Sequence, residues 1–170
     1  MNIPDKIEIL IITLSDRASK KEYEDQSGPK VREIISEFFS SLKWKYSVTL
    51  TLIPDDAGML TELLKNIVDK YNIVITTGGT GIGPRDITVE IVKPLLDKEI
   101  PGIMEFIRIK FGTNKPNALL SRGVAGVMGK ALVYTLPGSV KAVEEYMSEI
   151  LKTLKHTIYM QYGIDSHEKH

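Results

Sequence analysis

A glycine-rich segment carries residue types that suit the binding of a phosphorylated ligand. It reads Thr76-Thr77-Gly78-Gly79-Thr80-Gly81-Ile82-Gly83-Pro84-Arg85-Asp86. Glycine permits positive φ and a close approach of the ligand, and successive N–H groups in such a turn form a concave nest that attracts anions. The guanidinium of Arg85 suits a phosphate, and the carboxylate of Asp86 suits a divalent cation or a hydroxyl. The pattern predicts a phosphate-holding loop; a plain glycine turn is the alternative.

Two better-known phosphate loops do not fit the sequence. A dinucleotide fingerprint requires G-x-G-x-x-G, and Gly79, Gly81 and Gly83 have a different spacing. A Walker A loop requires Gly-Lys followed by Ser or Thr, but Ala131 follows Gly129-Lys130. The sequence therefore argues against a generic nucleotide-binding domain of either type.

A pair of aspartates, Asp55-Asp56, directly follows another predicted strand. The simple interpretation is a turn or a helix N-cap. The functional interpretation is that Asp55 faces Asp86 across a cleft. Two close carboxylates do not both stay ionised without compensation, and a Mg²⁺ ion held between them and a triphosphate would provide it.

Three further polar clusters are candidate anion contacts. They are Ser15-Asp16-Arg17, Ser121-Arg122 and Pro137-Gly138-Ser139. The first two are equally compatible with exposed turns and ion pairs, which contribute little to stability. Ser139 is predicted to cap a long helix, and the positive end of that helix could also hold an anion or a nucleotide.

Alternating strands and helices are predicted to position these clusters. The strands are Ile7–Leu14, Val48–Ile53, Ile73–Thr76 and a hairpin of Val124–Val127 with Leu132–Leu136. The helices start near Ser27, Leu60, Thr88, Pro101 and Val140, with Val68 near the end of the second and Thr88 as the cap of the third. Such alternation predicts an α/β sandwich with a largely parallel central sheet plus a small hairpin. Ligands bind such sheets outside the carboxyl ends of the strands, where the polar clusters would converge.

The composition narrows the classes of function. Lys and Arg total 22, as do Asp and Glu, so the net charge is zero, which argues against a general nucleic-acid or membrane-surface binder. The chain has no cysteine, which excludes disulfides, thiolate metal sites and thiol catalysis. We expect a soluble cytoplasmic protein with one domain over residues 1–163 and a polar tail over 164–170, whose His167 and His170 are not expected to bind metal.

Several of these motifs, taken together, resemble one family. They are Leu14-Ser15-Asp16-Arg17-Ala18-Ser19 with Tyr23-Glu24-Asp25, Leu52-Ile53-Pro54-Asp55-Asp56, Gly78-Gly79-Thr80-Gly81, Pro84-Arg85-Asp86-Ile87-Thr88, Pro101-Gly102, Leu120-Ser121-Arg122 and Leu136-Pro137-Gly138-Ser139. Their types and order resemble the molybdopterin adenylyltransferases of molybdenum cofactor biosynthesis, the MogA/MoaB type, whose domain also occurs in gephyrin. The matching motifs span nearly the whole chain.

The resemblance implies a three-layer α/β/α fold, a homotrimer and transfer of AMP from ATP to molybdopterin with Mg²⁺. It implies Asp55 and Asp86 as the essential, metal-binding carboxylates. Residues implied to hold the nucleotide are Thr77, Gly78, Gly79, Thr80, Gly81, Pro137, Gly138 and Ser139. Residues implied to contact the pterin and its phosphate are Ser15, Asp16, Arg17, Arg85, Ser121 and Arg122. Handover of the product to a downstream metal-insertion protein is also expected.

Two alternative functions remain open from the sequence. One is a non-catalytic molybdopterin-binding or scaffold protein with the same fold. The other is a hydrolase of nucleotide-type pyrophosphates. Fold alone does not separate these from a transferase, because one fold can host several activities. The retained Ser-Asp-Arg, Pro-Asp-Asp and Pro-Arg-Asp motifs favour the enzyme.

Overall fold

A computed structural model describes residues 3–67 and 69–164. The strands are β1 (Ile7–Leu14), β2 (Tyr46–Ile53), β3 (Ile73–Thr77), β4 (Lys98–Glu99), β5 (Ala125–Met128) and β6 (Ala131–Leu136). The helices are α1 (Asp16–Ser19), α2 (Ser27–Ser41), α3 (Ala57–Ile67), α4 (Thr88–Val92), α5 (Pro101–Gly112) and α6 (Val140–Gln161), with 3₁₀ turns at Lys93–Leu95 and Pro116–Leu120. Val68 and residues 165–170, which include His167 and His170, lie outside the described residues.

The six strands form one mixed sheet in the order β2-β1-β3-β6-β5-β4. Strands β2, β1, β3 and β6 are mutually parallel, whereas β5 runs antiparallel to both β6 and β4. The antiparallel β5–β6 pair is the predicted hairpin, with Gly129 in the turn at φ 57°. The predicted largely parallel sheet with a small hairpin is confirmed.

Two separate apolar layers explain why helices cover both faces of this sheet. Side chains of a strand alternate between faces, so Ile9 and Ile11 of β1 pack with α2, α5 and α6, whereas Leu10 and Ile12 pack with α3 and α4. All four side chains are at most 2% exposed. Each contributes about 1.5–3 kcal/mol relative to an exposed position. The three-layer α/β/α architecture is therefore confirmed and follows from a nearly continuous apolar central strand.

Two predictions of helix caps had different outcomes. Ser139 caps α6 as predicted, because its side chain accepts a hydrogen bond from the Ala142 N–H at 3.2 Å. The prediction that Thr88 caps α4 was wrong. Thr88 is the first residue inside that helix, and its hydroxyl donates instead to the Gly78 carbonyl at 2.8 Å. The buried hydroxyl thus fixes the glycine-rich loop and leaves the helix end without a side-chain cap.

The loops that follow the four parallel strands meet at one edge of the sheet. Ser15 N–H donates to the Ile53 carbonyl, which joins the ends of β1 and β2, and Gly78 N–H donates to the Leu136 carbonyl, which joins β3 and β6. The chain passes from β1 to β2 on one side of β1 and then crosses back to β3 on its other side, so the direction of the connections reverses at β1. A crevice at such a reversal point is the usual ligand site of an open α/β sheet.

Candidate active site

Two glycines with positive φ start the glycine-rich loop directly after β3. Gly78 has φ +94° and Gly79 has φ +66°, values that side-chain-bearing residues rarely adopt. A Cβ on Gly78 would lie 2.3 Å from the Leu14 carbonyl oxygen, so the space is closed as well. The Thr88 N–H donates to the Gly79 carbonyl at 3.1 Å. Glycine is therefore required here both by conformation and by contact.

Asp86 closes the same loop from within. Its Oδ2 atom accepts a hydrogen bond from the Gly83 N–H at 2.8 Å, and the Asp86 N–H donates back to the Gly83 carbonyl at 3.0 Å. The carboxylate also packs against Gly81, where an added Cβ would lie 2.7 Å from Oδ2. The Oδ2 atom of Asp86 thus holds the shape of the loop. Within 3.5 Å, its Oδ1 atom accepts no hydrogen bond from the described residues.

Asp16 and Asp55 exchange hydrogen bonds between the ends of β1 and β2. Asp55 Oδ2 accepts from the Asp16 N–H at 3.0 Å, and Asp16 Oδ1 accepts from the Asp55 N–H at 3.1 Å. Partial burial raises the pKa of Asp55, and the negative charges of Asp16 and Asp86 act in the same direction. Asp55 and Asp86 lie on the same edge of the sheet, in the loops that follow β2 and β3.

Arg85 links the glycine-rich loop to the loop after β1. Its Nε and Nη2 atoms donate to the Asp16 carboxylate at 2.9 and 2.8 Å, a bidentate pair. This guanidinium holds the pKa of Asp16 below its usual range. Ser15 caps the short helix α1 and contacts the Tyr23 hydroxyl, while the Arg17 guanidinium lies 4.9 Å from the Tyr23 ring centroid. These residues form one polar cluster beside the loop.

A cleft of about 420 Å³ opens next to this cluster. Of the residues predicted for the site, the cleft is lined by Gly79, Thr80, Gly81, Asp86, Ser121, Pro137, Gly138 and Ser139. The loops at Gly78 and Gly138 are in van der Waals contact, since a Cβ on Gly138 would lie 3.4 Å from the Gly78 Cα. The glycine-rich loop, the start of α6 and the carboxylate of Asp86 therefore share a single concave surface.

The other predicted residues lie beside or beneath the cleft. Thr77 is buried below it, where its hydroxyl is 2.8 Å from that of Ser27. Gly78 forms the loop base already described. Arg122 turns toward the loop, with Nε donating to the Gly81 carbonyl at 2.7 Å and its guanidinium paired with Glu90. Outside the lining of this cleft are Ser15, Asp16, Arg17, Asp55, Thr77, Gly78, Arg85 and Arg122.

Sequence reasoning missed the opposite wall of the cleft. That wall includes Lys115, Asn117, Lys141, Glu145 and Tyr146. Lys115 pairs with Glu145, and burial raises the pKa of the Tyr146 phenol. The lysines carry no motif, and Tyr146 falls in the apolar spacing of α6 together with Val143 and Met147, so it reads as a core residue.

The donor chemistry of this edge fits a magnesium ion that is shared with a bound phosphate. Among residues 3–67 and 69–164, no three His, Asp or Glu side chains form an all-protein metal site. Mg²⁺ is usually held by only one or two carboxylates plus substrate phosphates, so Asp55 and Asp86 would suffice. Burial is the main cause of the raised pKa of Asp55, and a nearby divalent cation would favour its ionised form.

The sequence matches one known protein family over most of its length. The family described as a probable molybdopterin binding domain matches residues 10–156. The chain belongs to this family. The resemblance drawn from the motifs is thus confirmed. Within residues 3–67 and 69–164, none of the helices combines the length and apolar character that a membrane crossing requires.

Relatives with assigned names match over most of this chain. A molybdopterin adenylyltransferase from Pyrococcus furiosus is 39% identical over 163 residues, covering 90% of this chain and 92% of the relative. The molybdenum cofactor synthesis protein cinnamon from Drosophila melanogaster is 34% identical over 152 residues, and gephyrin from Dictyostelium discoideum is 36% identical over 155. The aligned part covers only 25% of cinnamon and 21% of that gephyrin, so both are much longer proteins.

Solved structures agree with the family assignment. The molybdopterin biosynthesis enzyme MoaB from Thermus thermophilus superposes with a TM-score of 0.82 at 34% identity. The superposition covers 92% of this chain and 97% of that protein. The two proteins therefore share the same fold over most of both chains.

Proposed function

We propose that this protein is a molybdopterin adenylyltransferase of molybdenum cofactor biosynthesis. It transfers AMP from ATP to the terminal phosphate of molybdopterin and releases pyrophosphate. The observation that carries the proposal is the 39% identity over 163 residues to a protein of that name, in a chain whose Asp86 and glycine-rich loop line one cleft. The fold alone would not support it, since related folds host other activities.

The cleft and its rim offer positions for both substrates. We assign the nucleotide to the loop Thr77–Gly81 and to Pro137–Ser139, because N–H groups of a nest and of a helix start attract phosphates. We assign the pterin and its phosphate to the polar side chains around this loop, namely Ser15, Asp16, Arg17, Arg85 and Ser121. Arg122, which the sequence also suggested for this role, instead binds the Gly81 carbonyl and Glu90. The bidentate Arg85–Asp16 pair would have to rearrange if Arg85 takes a phosphate, because its fork is engaged.

The reaction needs positioning and charge compensation but no covalent nucleophile from the protein. A terminal phosphate oxygen of molybdopterin forms a bond to the α-phosphorus of ATP, and the bond from that phosphorus to pyrophosphate breaks. Both reactants are polyanions, so the barrier is largely electrostatic and positional. The loop N–H groups and nearby guanidinium groups lower it by facing the phosphates.

Mg²⁺ is part of the proposed site. Asp55 and Asp86 would hold it, and when bound it would neutralise negative charge on the phosphates. The protein's own contribution is to keep Asp86 in place through the Gly83 N–H and Asp55 in place through the Asp16 N–H.

We further propose a cytoplasmic homotrimer that hands its product to a downstream metal-insertion protein.

Incubation of the purified protein with ATP, Mg²⁺ and molybdopterin tests the function. Mass detection should show adenylyl-molybdopterin and an equal amount of pyrophosphate. Binding of molybdopterin without product would support a non-catalytic binding or scaffold protein instead. Release of AMP from ATP without any pterin present would support a nucleotide pyrophosphate hydrolase.

A further inference from the structure

Arg122 is engaged almost completely with the glycine-rich loop and with Glu90. Its Nε donates to the Gly81 carbonyl at 2.7 Å and its Nη2 to the Asp86 carbonyl at 3.4 Å. Nη1 and Nη2 also contact the two carboxylate oxygens of Glu90. These four bonds use four of the five N–H donors of a guanidinium. A bidentate grip on a phosphate needs two adjacent free donors, which this arrangement does not leave.

The segment that Arg122 holds, residues 81–86, is otherwise fixed by the Gly83–Asp86 hydrogen bonds within it and by the exposed Arg85–Asp16 pair. Gly81 and Asp86 lie at its two ends, and between them Ile82 is 75% exposed, so it has no apolar anchor there. Arg85 contacts Asp16 at a position where the Arg85 side chain is 65% exposed. Two glycines within the segment favour mobility, and segments with few buried contacts open easily. The carbonyl bonds of Arg122 therefore close the loop at both ends.

Arg122 itself starts from a rigid part of the molecule. Its own N–H donates to the Thr80 carbonyl at 2.9 Å. The following Gly123 is packed so tightly that a Cβ there would lie 2.5 Å from the Thr135 carbonyl oxygen of β6. Arg108 of α5 donates to the Gly123 carbonyl at 3.1 Å. The guanidinium thus extends from an anchored backbone to the more exposed segment of residues 81–86.

We propose that Arg122 and Glu90 form a clamp that positions Asp86, and that Arg122 is not a phosphate ligand of the substrates. Glu90 lies in α4, the helix that directly follows the loop, so the clamp connects Gly81, Asp86 and α4. The hydrogen bonds from Arg122 lower the pKa of Glu90, as expected for a charge pair. The pair is exposed and adds little to global stability, so loss of Glu90 leaves a folded protein. What is lost is the placement of Asp86.

The Glu90→Gln variant separates the two roles, and the activity arm of this test rests on the proposed adenylyl transfer. A clamp predicts that Glu90→Gln lowers kcat roughly 10- to 100-fold, because a displacement of about 1 Å at a catalytic group has this effect. The melting temperature should stay close to wild type. KM for ATP and molybdopterin should change by less than about threefold. If Arg122 is instead a phosphate ligand, removal of the Glu90 charge would free Arg122 for the substrate. Glu90→Gln should then lower KM and should not lower kcat.

Amide hydrogen exchange tests the clamp without any substrate. Exchange of the Gly83 and Asp86 N–H groups, which are hydrogen-bonded within the segment, should become at least about tenfold faster in both Glu90→Gln and Arg122→Lys. Glu37→Gln, an exposed change on α2, serves as the matched control and should leave kcat and exchange unchanged. Wild-type exchange and wild-type kcat in Glu90→Gln would overturn the clamp. If wild-type protein forms no product, the proposed transferase fails, and the exchange experiment still decides the clamp.

Discussion

The substitution Gly79→Ala tests whether the glycine-rich loop has the backbone described here. Gly79 has φ +66°, and an added Cβ would lie 2.3 Å from Thr88 Oγ1 and 3.3 Å from Thr88 Cβ. That hydroxyl is fully buried and donates to the Gly78 carbonyl at 2.8 Å. Alanine would therefore force the Thr88 side chain to move and break a buried hydrogen bond.

The expected loss of stability can be worked out from these contacts. A left-handed conformation at a residue with a side chain costs about 1–2 kcal/mol. A buried carbonyl that loses its donor costs about 1–3 kcal/mol. The smaller conformational freedom of alanine in the unfolded chain offsets about 0.4–1 kcal/mol. The free energy of unfolding should therefore fall by about 2–4 kcal/mol.

Urea unfolding of a small set of variants measures this. Gly102→Ala is the matched control, because Gly102 lies in the first turn of α5 with nothing within 4 Å of an added Cβ. The control should be neutral or up to about 1 kcal/mol more stable. The double variant Gly79→Ala/Thr88→Ala should be less destabilised than the sum of the two single variants by about 1–2 kcal/mol, since the clashing hydroxyl is gone. Additive losses, or a Gly79→Ala protein within about 0.5 kcal/mol of wild type, would refute this description of the loop.

Three further predictions concern the carboxylates and the metal. Asp86→Asn keeps an acceptor for the Gly83 N–H, so it should fold normally but nearly abolish adenylyl transfer; wild-type-like single-turnover rates would remove Asp86 from the mechanism. Folding raises the pKa of Asp55 above its ordinary value of 3.8. The contribution of this carboxyl group to stability therefore falls as the pH rises above 3.8, and at pH 7 the ionised group is destabilising. Asp55→Asn should therefore raise the free energy of unfolding at pH 7 while activity is lost, and an unchanged or lower stability in chemical denaturation would contradict the electrostatic account. Chelation by EDTA should stop product formation and added Mg²⁺ should restore it, whereas full activity in EDTA would exclude the proposed metal.

The fold was predictable because its strongest signals are local. The strands β1 and β3 are short apolar runs rich in β-branched residues, a pattern that indicates buried parallel strands. The two-residue strand β4 and the one-turn helix α1 are too short for any periodicity to appear. The cap at Thr88 was mispredicted because a threonine before a helix suits two roles, and only the folded loop supplies the Gly78 carbonyl that its hydroxyl binds.

The site was predictable only in part, because its contacts join distant positions. The residues after parallel strands could be gathered from the sheet rule alone, and this placed the glycine-rich loop beside Pro137–Ser139. Pairing partners could not be predicted in this way. Arg85 binds Asp16 across 69 positions and Arg122 binds the Gly81 carbonyl across 41, and both depend on sheet order and loop shape. Lysines of the far wall, such as Lys115, look like ordinary surface residues in the sequence.

The most direct test of adenylyl transfer follows the phosphorus atoms of ATP. Purified protein is incubated with Mg²⁺, molybdopterin and ATP labelled either at the α- or at the γ-phosphate, and the pterin product is isolated. The account predicts that the α label appears in the pterin product and that the γ label leaves only in pyrophosphate. A γ label in the pterin, or an α label found only in free AMP, would contradict it.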